Sequence, residues 1–537
     1  MSYFSTDEVG ALVARFERRG VSLFLDEGRL RYRSVRERLD DADRDLLRRR
    51  KADIVAFLQR ETAPGAGPAP GGDERITPRE AGDEPAPLSY AQERLWLLDR
   101  LGLVGSAYNS RLSFMLQGPL HADRLCSSIR ELVRRHDSLR TRFVEIDGAP
   151  RQVVDSVERF DVERVDLAGE NGFDDLSALR RFTDEQALKR FDLQRGPIFR
   201  ALLIKAAERR HVLLLCMHHI CTDGWSMGRM AAEIEAGYAA RLAAETPDRQ
   251  RPAIQYADYA VWQRERLSPG EMEAQLEFWR RRLADAPSVL DLPTDRPRPE
   301  VPTHRGAVCT VRIDRETTAA LNDLAQRAGA TLFMVLLTAF AVMLSKWSGQ
   351  RDIVVGTPIA GRTHEDTEAL IGLFVNMLPL RVPVDEADSF RDLLLRIKET
   401  ALDAYAHQEA PFSELVKGVE TARSLGRHPI FQVAFALQNV EKVSLNLPDV
   451  EAEFFPSTHR TAQFDLSLLA HEVDGEILAS AEYSSDLFDP STMDKMLERW
   501  RRSLVLAACG GSVVLGDYDV LGDGERGVVL DEWNRTE

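Results

Sequence analysis

Residues 217–226 read MHHICTDGWS and lie between two different hydrophobic patterns. The preceding run, HVLLLCM at 211–217, is continuously apolar and predicts a buried strand, whereas apolar residues at three- and four-residue spacing over 225–242 predict a helix. The motif therefore lies in a strand-to-helix loop. Because neighbouring residues on a strand point to opposite faces, only one of His218 and His219 can face a given cavity. We expect one histidine to be chemical and the other structural.

The composition is that of a globular protein without the charge of a nucleic-acid binder. Of the 537 residues, 44% are hydrophobic and 29% are charged, and the formal net charge is -16. At about 150 residues per unit, this length suggests about three units. Nucleic-acid binders usually present a basic face, so the acidic balance argues against a nucleic-acid partner.

The cysteines and the apolar runs bear on the cellular compartment. Five scattered cysteines without CxxC spacing indicate neither a disulfide framework nor a zinc site, and they favour a reducing compartment. The N-terminal stretch MSYFSTDEVGALVARFERRG lacks the apolar run and cleavage site of a signal peptide. The longest apolar run, 332–344, would form a helix of about 20 Å, which is too short to cross a bilayer. We expect a cytoplasmic protein with no membrane partner and a core helix at 332–344.

The N-terminal segment, 1–61, reads as a separate charged domain. Apolar spacing predicts helices near 9–16 and over 39–58, and apolar alternation on both sides of Asp26-Glu27-Gly28 predicts a β-hairpin. The basic cluster at 48–51 is either a solvated face or a site for an acidic partner tail. Residues 62–87, rich in Pro, Gly, Ala and charge, predict a flexible linker.

From residue 88 to about residue 521, helical and strand patterns alternate as in an α/β domain. Strands are predicted at 152–154, 200–204, 308–313, 352–356, 431–437 and 477–483, and helices at 127–135, 272–283, 317–327, 332–347 and 390–405. The order of strands and helices in the first part of this region is loosely repeated in the second part. We therefore expect two similar lobes, at 88–265 and 266–525.

Seven motifs in this region resemble, in order, the signature motifs of nonribosomal peptide synthetase condensation domains. They are LSYAQERLWLLDRL (88–101), RRHDSLRTRF (134–143), MHHICTDGWS (217–226), YADYAVW (256–262), IGLFVNMLPLR (371–381), HQEAPFSELV (407–416) and HPIFQVAFALQN (428–439). The N-terminal segment 1–61 resembles the small αββα-type N-terminal docking domains of synthetase subunits. Residues 526–537 resemble the start of a linker to a downstream adenylation domain.

This resemblance implies an α/β fold with two lobes, each like chloramphenicol acetyltransferase, in a V-shaped pseudo-dimer with a tunnel between them. Donor and acceptor carrier domains would insert phosphopantetheine arms from opposite ends, so this chain would bind no cofactor itself, and CoA is the other possible donor carrier. The implied partners are both carrier domains, an upstream synthetase subunit at the docking domain, and a downstream adenylation domain.

His219 matches the active-site position of the family. Aminolysis of a thioester needs a neutral amine whose lone pair is aimed at the carbonyl carbon, and an α-amino group titrates near about pH 8. A neutral imidazole can orient that amine or accept its proton. We expect His219 to orient the amine first and to accept the proton second, and His218 to be a packing histidine.

The next two residues of the motif each have two interpretations. Asp223 either orients the histidine or forms a buried ion pair that holds the loop. For the ion pair, the resemblance places an arginine of the other lobe nearby, with Arg362 as the first candidate and Arg140 as the second. Gly224 either permits an unusual turn that admits a pantetheine arm or simply begins the helix.

Further polar residues are candidates for the substrate tunnel. They are Trp225, Ser226, Asn376, Gln432 and Asn439. The residues His218, His219 and Asp223 could ligate a metal on paper, but adjacent histidines on a strand diverge and no HExxH motif or cysteine cluster accompanies them. We expect no metal site.

Two rival functions and one ambiguity accompany this interpretation. Residues 224–228 also read GxSxG, which carries the nucleophile in hydrolases, so a thioesterase is the rival enzyme; the predicted strand ends several residues before Ser226, which argues against it. A non-catalytic recruitment platform is the second rival, and the complete histidine motif argues against it. The donor stays open. It is either a peptidyl or polyketide chain from an upstream carrier, or, in a starter condensation domain, an acyl group from acyl-CoA or an acyl carrier protein that N-acylates the first amino acid.

Overall fold

A computed structural model describes residues 21–26, 29–34, 75–80, 84–102, 105–169, 175–245, 250–419, 426–438, 443–457, 460–509 and 511–518. The chain divides into two compact units, Met1–Arg75 and Ile76–Glu537. Asn439, the two helices predicted within 1–61 and the segment 526–537 lie outside the described residues.

The first unit contains the predicted hairpin. Strands β1 (Val21–Asp26) and β2 (Arg29–Ser34) pair antiparallel, with Asp26 opposite Arg29 at the turn. The alternation of apolar residues was therefore a correct indicator of this hairpin.

The second unit holds two sets of strands and helices. In its first half these are β3 (Ala86–Pro87), α1 (Tyr90–Arg100), β4 (Asn109–Gln117), α2 (Ala122–Arg135), β5 (Thr141–Ile146), β6 (Ala149–Val154), β7 (Val162–Asp166), α3 (Leu176–Leu188), β8 (Phe199–Ala207), β9 (Arg210–His218), α4 (Gly224–Leu242) and α5 (Tyr256–Arg266). In its second half they are α6 (Pro269–Leu283), β10 (Gly306–Ile313), α7 (Arg315–Ala328), α8 (Leu332–Ser348), β11 (Asp352–Ile359), β12 (Asn376–Pro383), α9 (Phe390–Ala406), α10 (Phe412–Gly418), β13 (Val433–Leu437), β14 (Glu451–Phe454), β15 (Leu466–Val473), β16 (Glu476–Ser484) and α11 (Pro490–Ala508).

The first lobe is built on a five-stranded sheet in the order β14-β4-β9-β8-β7. Helices α2 and α4 pack on one face around Leu213 and Leu215, and α3 packs on the other around Leu202 and Leu214. The central strand β9 is thus buried on both faces, which is why its sequence is continuously apolar. A separate small sheet, in the order β3-β6-β5, completes this lobe.

The second lobe is built on a six-stranded sheet in the order β10-β16-β15-β13-β11-β12. Helices α7, α8, α9 and α11 contribute to one core with the sheet, and α8 is buried along most of its length, as expected for a core helix. Among the described residues, no single helix is long and apolar enough to cross a membrane. Helices α7 and α8 meet that criterion only together and are bent by 104° at the break between them.

Two segments from the second half of the chain belong to the first lobe. Strand β14 pairs with β4, with Phe454 opposite Phe114, and Phe455 is buried in the first lobe beside α3. The side chains of Ile371 and Leu373 enter the core formed with α2 and α4. The expected range of 266–525 for the second lobe therefore has to be corrected at these crossings, which join the two lobes through pairings between distant parts of the chain.

Candidate active site

The histidine motif lies where the central strand of the first lobe ends. Strand β9 ends at His218, a single 3-10 turn covers His219–Cys221, and α4 begins at Gly224. The Asp223 side chain caps that helix, because its Oδ1 accepts a hydrogen bond from the backbone N–H of Ser226 at 2.8 Å. The predicted strand-to-helix loop is confirmed.

The half-buried His219 presents one nitrogen as an acceptor. Its Nδ1 lies 2.5 Å from the carbonyl oxygen of Thr222. A carbonyl only accepts hydrogen bonds, so in the neutral imidazole the proton lies on Nδ1 and the lone pair on Nε2. The backbone N–H of His219 also donates to the carbonyl of Tyr108 at 2.8 Å. The loop therefore fixes both the position and the tautomer of the imidazole.

His218 makes the contacts of a packing residue. It is 2% exposed, its Nδ1 accepts from the backbone N–H of Ile220 at 3.1 Å, and its ring meets Phe191 edge-on. Burial, and to a lesser extent His219, lowers the pKa of His218 to about 3. This imidazole is therefore neutral at physiological pH, and it is held inside the first lobe.

The expected contact between Asp223 and Arg362 is present. Arg362 Nη2 lies 3.2 Å and 3.4 Å from the two Asp223 oxygens, and the two side chains are 1% and 3% exposed. Asp223 also accepts from the backbone N–H of Phe374 at 3.1 Å, and Arg362 donates to the carbonyl of Leu370 at 3.1 Å. Burial lowers the pKa of Arg362, and the carboxylate of Asp223 opposes that shift. The pair thus holds a segment from the second half of the chain against the motif.

The alternative arginine and the alternative role of the carboxylate are not supported. Arg140 pairs with Asp137 at 2.5 Å, within the first lobe. Among the described residues no hydrogen bond joins Asp223 to His219, since both carboxylate oxygens are taken up by the helix cap, Phe374 and Arg362. These residues also include no group of three histidine, cysteine or acidic side chains that could hold a metal ion.

His219 lines a cavity between the two lobes. The cavity has a volume of about 1190 Å³, which includes the space at its opening to solvent. Tyr108, Tyr259 and Trp262 contribute from the first lobe, and Phe374 and Phe412 from the second half of the chain. Arg266 and Glu409 also line this cavity and form an ion pair at 3.0 Å.

Ser226 and Trp225, predicted to line the tunnel, do not line the His219 cavity. Ser226 is fully buried, and its Oγ donates to the carbonyl of Gly372 at 3.0 Å while accepting from the Gly372 N–H at 3.1 Å and from Arg362 at 2.9 Å. Such a hydroxyl fastens the crossing segment and has no path to a substrate. Trp225 is 43% exposed and donates from Nε1 to the carbonyl of Glu368 at 3.3 Å, outside the cavity wall.

Asn376 and Gln432 are bound to the framework. Asn376 lines the cavity, but its Nδ2 donates to the carbonyl of Ala410 at 2.7 Å and its Oδ1 accepts from the N–H of Phe412 at 3.0 Å. Gln432 is 1% exposed and accepts from the N–H of Leu290 at 2.7 Å. Both amides are therefore committed to backbone partners, and Gln432 does not belong to the cavity wall.

Gly224 begins the helix without an unusual turn. Its φ lies outside the left-handed region, and among the described residues no atom beyond its own helix and chain neighbours lies within 4 Å of the point where a Cβ would stand. This geometry favours the interpretation of Gly224 as a plain helix start. Open space remains beside its Cα.

Sequence reasoning did not single out several residues that shape the cavity. Arg94 of α1 donates from Nη2 to His428 Nε2 at 2.8 Å, across the two lobes, and burial lowers the pKa of His428 to about 3. Tyr108 and Tyr259 present aromatic rings to the same space. The only indication in the sequence was that three of these residues, Arg94, Tyr259 and His428, lie within the quoted motifs. A position within a motif does not distinguish residues of the cavity wall from packing residues.

Comparison with known proteins identifies the family. A family model described as a condensation domain matches residues 83–529. The chain belongs to the condensation-domain family. A second model, the TubC N-terminal docking domain, matches residues 9–60, so the expected docking domain precedes the condensation domain.

Related proteins and solved structures agree with this assignment. A linear gramicidin synthase polypeptide of Brevibacillus parabrevis is 40% identical over 485 residues, which are 90% of this chain and 6% of that protein. Malpibaldin synthetase of Mortierella alpina is 39% identical over 86% of this chain and 8% of its own length, so the chain spans less than a tenth of either relative. The crystal structure of the X-domain from teicoplanin biosynthesis superimposes with a TM-score of 0.76 at 27% identity, covering 83% of this chain and 100% of that one. The expected two-lobed α/β condensation fold is confirmed.

Proposed function

We propose that this condensation domain forms an amide bond by attack of a carrier-bound aminoacyl amine on a carrier-bound peptidyl or acyl thioester. The observation that carries the proposal is the state of His219. Its proton is committed to Thr222 through Nδ1, and its ring lines a cavity that both lobes enclose. An imidazole in that state offers a lone pair at Nε2 to whatever amine enters the cavity.

The reaction follows from that lone pair. The amine nitrogen forms a bond to the thioester carbonyl carbon, and the carbon–sulfur bond then breaks to release the donor thiolate. The amine gives up one proton, which His219 Nε2 accepts and returns to the thiolate sulfur. General-base assistance is worth about 10² to 10⁴ in rate, and orientation of the tethered reactants can contribute more. Orienting the amine is therefore the first task of His219 and proton transfer the second.

The partners follow from the domain content. Both substrates arrive on phosphopantetheine arms, which are part of the substrates and not cofactors of this chain. The docking-domain match at residues 9–60 supports an upstream synthetase subunit as the source of the donor. Relatives more than ten times longer than this chain support further domains in the same assembly, and we place an adenylation domain after residue 537.

Two donor classes remain to be separated. The docking domain favours a peptidyl or polyketide chain delivered by the upstream carrier. A starter domain would instead accept an acyl group from acyl-CoA or from an acyl carrier protein and place it on the first amino acid. Both use the same chemistry at His219.

A recruitment platform is the second candidate function. A complex of the teicoplanin X-domain with OxyB has the same fold, with a TM-score of 0.76 at 28% identity over 84% of this chain. The lone pair of His219 within the cavity favours an enzyme. A thioesterase using Ser226 is disfavoured, because that hydroxyl is buried and engaged by Gly372 and Arg362.

The test supplies the full chain with an aminoacyl carrier and, in parallel, peptidyl-carrier, acyl-carrier and acyl-CoA donors. Intact-protein mass spectrometry then weighs the acceptor carrier. We expect the acceptor to gain the mass of the donor acyl group, and the productive donor identifies the subtype. If correctly loaded carriers give no amide with any donor, the proposal is wrong.

A further inference from the structure

The side-chain amide of Gln263 has a forced orientation. Its Oε1 accepts from the backbone N–H of Tyr90 at 3.2 Å. Tyr90 begins α1, and the first N–H groups of a helix have no partner within the helix. Because an N–H only donates, the oxygen of Gln263 must face Tyr90, and the NH₂ group must face the other way, towards Tyr259.

That orientation decides the role of the Tyr259 hydroxyl. Gln263 Nε2 lies 3.1 Å from the Tyr259 oxygen and donates to it. The hydroxyl oxygen is thus an acceptor in this contact, and its own proton is left to donate elsewhere. Within the described part of the chain, no other polar atom lies at hydrogen-bonding distance from this oxygen. A hydroxyl proton that no described side chain or backbone group accepts can be donated to an acceptor on a ligand in the cavity.

Tyr259 is held rigidly at the cavity. Its side chain is 5% exposed, and its ring packs against Phe374 with 4.6 Å between centroids and against Tyr256 with 5.5 Å. Burial raises the pKa of Tyr259 above its usual range, so the hydroxyl keeps its proton. Tyr259, Gln263 and His219 all line the same cavity.

The neighbouring Tyr256 shows the contrast. Its hydroxyl lies 2.8 Å from Ser89 Oγ and donates to the carbonyl of Leu373 at 2.5 Å. Tyr256 is outside the cavity wall and its hydroxyl is satisfied within the fold. Of these two neighbouring tyrosines, only Tyr259 has a hydroxyl proton available to a ligand.

We propose that the Tyr259 hydroxyl donates a hydrogen bond to a carbonyl oxygen of the carrier-tethered substrate in the His219 cavity. This rests on the proposed function, because such a substrate brings carbonyl acceptors of two kinds. One is the thioester carbonyl, whose oxygen gains negative charge during the attack. The other is an amide carbonyl of the phosphopantetheine arm, which carries the same charge before and during the reaction. The shared chemistry is a carbonyl acceptor, and steady-state kinetics separates the two sources.

The first variant is Tyr259→Phe, which removes the hydroxyl and keeps the ring. A donor to a developing oxyanion is worth about 10² to 10³ in kcat. A hydrogen bond that is equally strong in substrate and transition state changes KM only, by about 3- to 10-fold for a neutral pair. A fall in kcat thus assigns Tyr259 to the thioester carbonyl, and a rise in KM assigns it to the arm. Tyr405→Phe in α9, outside the cavity wall, is the matched control.

The second variant is Gln263→Glu. A carboxylate accepts hydrogen bonds from both the Tyr90 N–H and the Tyr259 hydroxyl, so it captures the proton without removing the tyrosine. We expect this variant to reproduce the defect of Tyr259→Phe, and the double variant to be no worse than either single one, since both remove the same interaction.

Three results would overturn the proposal: kinetics of Tyr259→Phe within twofold of the wild type and of Tyr405→Phe, wild-type kinetics in Gln263→Glu, or defects that multiply in the double variant. In each case wild-type protein still forms amide. If the proposed function itself is wrong, wild-type protein forms no amide with any donor, so the two failures are distinguishable.

Discussion

Replacing Asp223 with Asn tests the buried ion pair between the lobes. The carboxylate now accepts from the N–H groups of Ser226 and Phe374 and from Arg362. Asn keeps one oxygen, so its NH₂ group would face either the N–H of Ser226 or the N–H of Phe374, and two donors would meet in either orientation. The substitution also leaves the positive charge of Arg362 buried without a counter-charge, at 3% exposure.

The expected loss of unfolding free energy depends on the hydrogen bonds that Arg362 retains in the variant. Breaking a buried ion pair costs about 3 to 5 kcal/mol. Arg362 retains hydrogen bonds to Ser226 Oγ and to the carbonyl of Leu370, so we expect the lower end of that range, about 3 kcal/mol or roughly 150-fold in the folding equilibrium.

The assay is urea unfolding of the full chain followed by tryptophan fluorescence, with amide formation measured on the folded fraction. Asp161→Asn removes an exposed partner of Arg130 and is the matched control, for which we expect a change below about 1 kcal/mol. Because His219 and Thr222 are untouched, the folded variant should retain amide formation within several-fold. Normal stability with activity lost at the chemical step would refute the structural role of Asp223.

Three further substitutions test separate features. Gly372→Ala places a Cβ 1.9 Å from the Tyr256 ring, so we expect a loss of about 1 to 3 kcal/mol by thermal unfolding, and an unchanged melting temperature would contradict that close contact. Gly224→Ala meets no atom within 4 Å and needs no left-handed φ, so its unfolding free energy should equal or exceed that of the wild type; a loss above about 1 kcal/mol would contradict the plain helix start. Burial raises the pKa of Glu482 to about 7, so the folded state holds a proton that the unfolded state has released, and stability is lost as pH rises from about 4.5 to 7. Glu482→Gln should therefore gain stability relative to wild type between pH 5 and pH 8, and parallel pH profiles would contradict this.

The local pattern of apolar residues was enough to predict those strands and helices that are buried evenly along their length. Strand β9 is buried on both faces and α8 on nearly all sides, so each reads as a continuous apolar run. Strand β14 is short, and its place in the first-lobe sheet depends on β4, which lies in the opposite half of the chain. No periodicity within EAEF indicates which lobe it joins.

Some residues of the candidate active site could likewise be predicted from the sequence, and others could not. Alternation along β9 and the family resemblance together indicated His219, and the resemblance suggested Arg362 as the partner of Asp223. Whether a polar side chain serves the framework or the cavity depends on where its hydrogen bonds go, and sequence does not give that. Ser226 and Gln432 have their hydrogen bonds inside the framework, whereas Tyr259 keeps a hydroxyl proton at the cavity, and their positions in the sequence do not reveal this difference.

His219 is proposed to promote amide formation through Nε2. The most direct measurement is single-turnover amide formation between loaded donor and acceptor carriers, comparing wild type with His219→Ala and with His121→Ala, an exposed histidine outside the cavity wall. We predict a rate lower by about 10² to 10⁴ in His219→Ala at unchanged thermal stability, and a wild-type rate in His121→Ala. A rate within a few-fold of wild type in His219→Ala, with both carriers verified as loaded, would show that His219 does not promote amide formation.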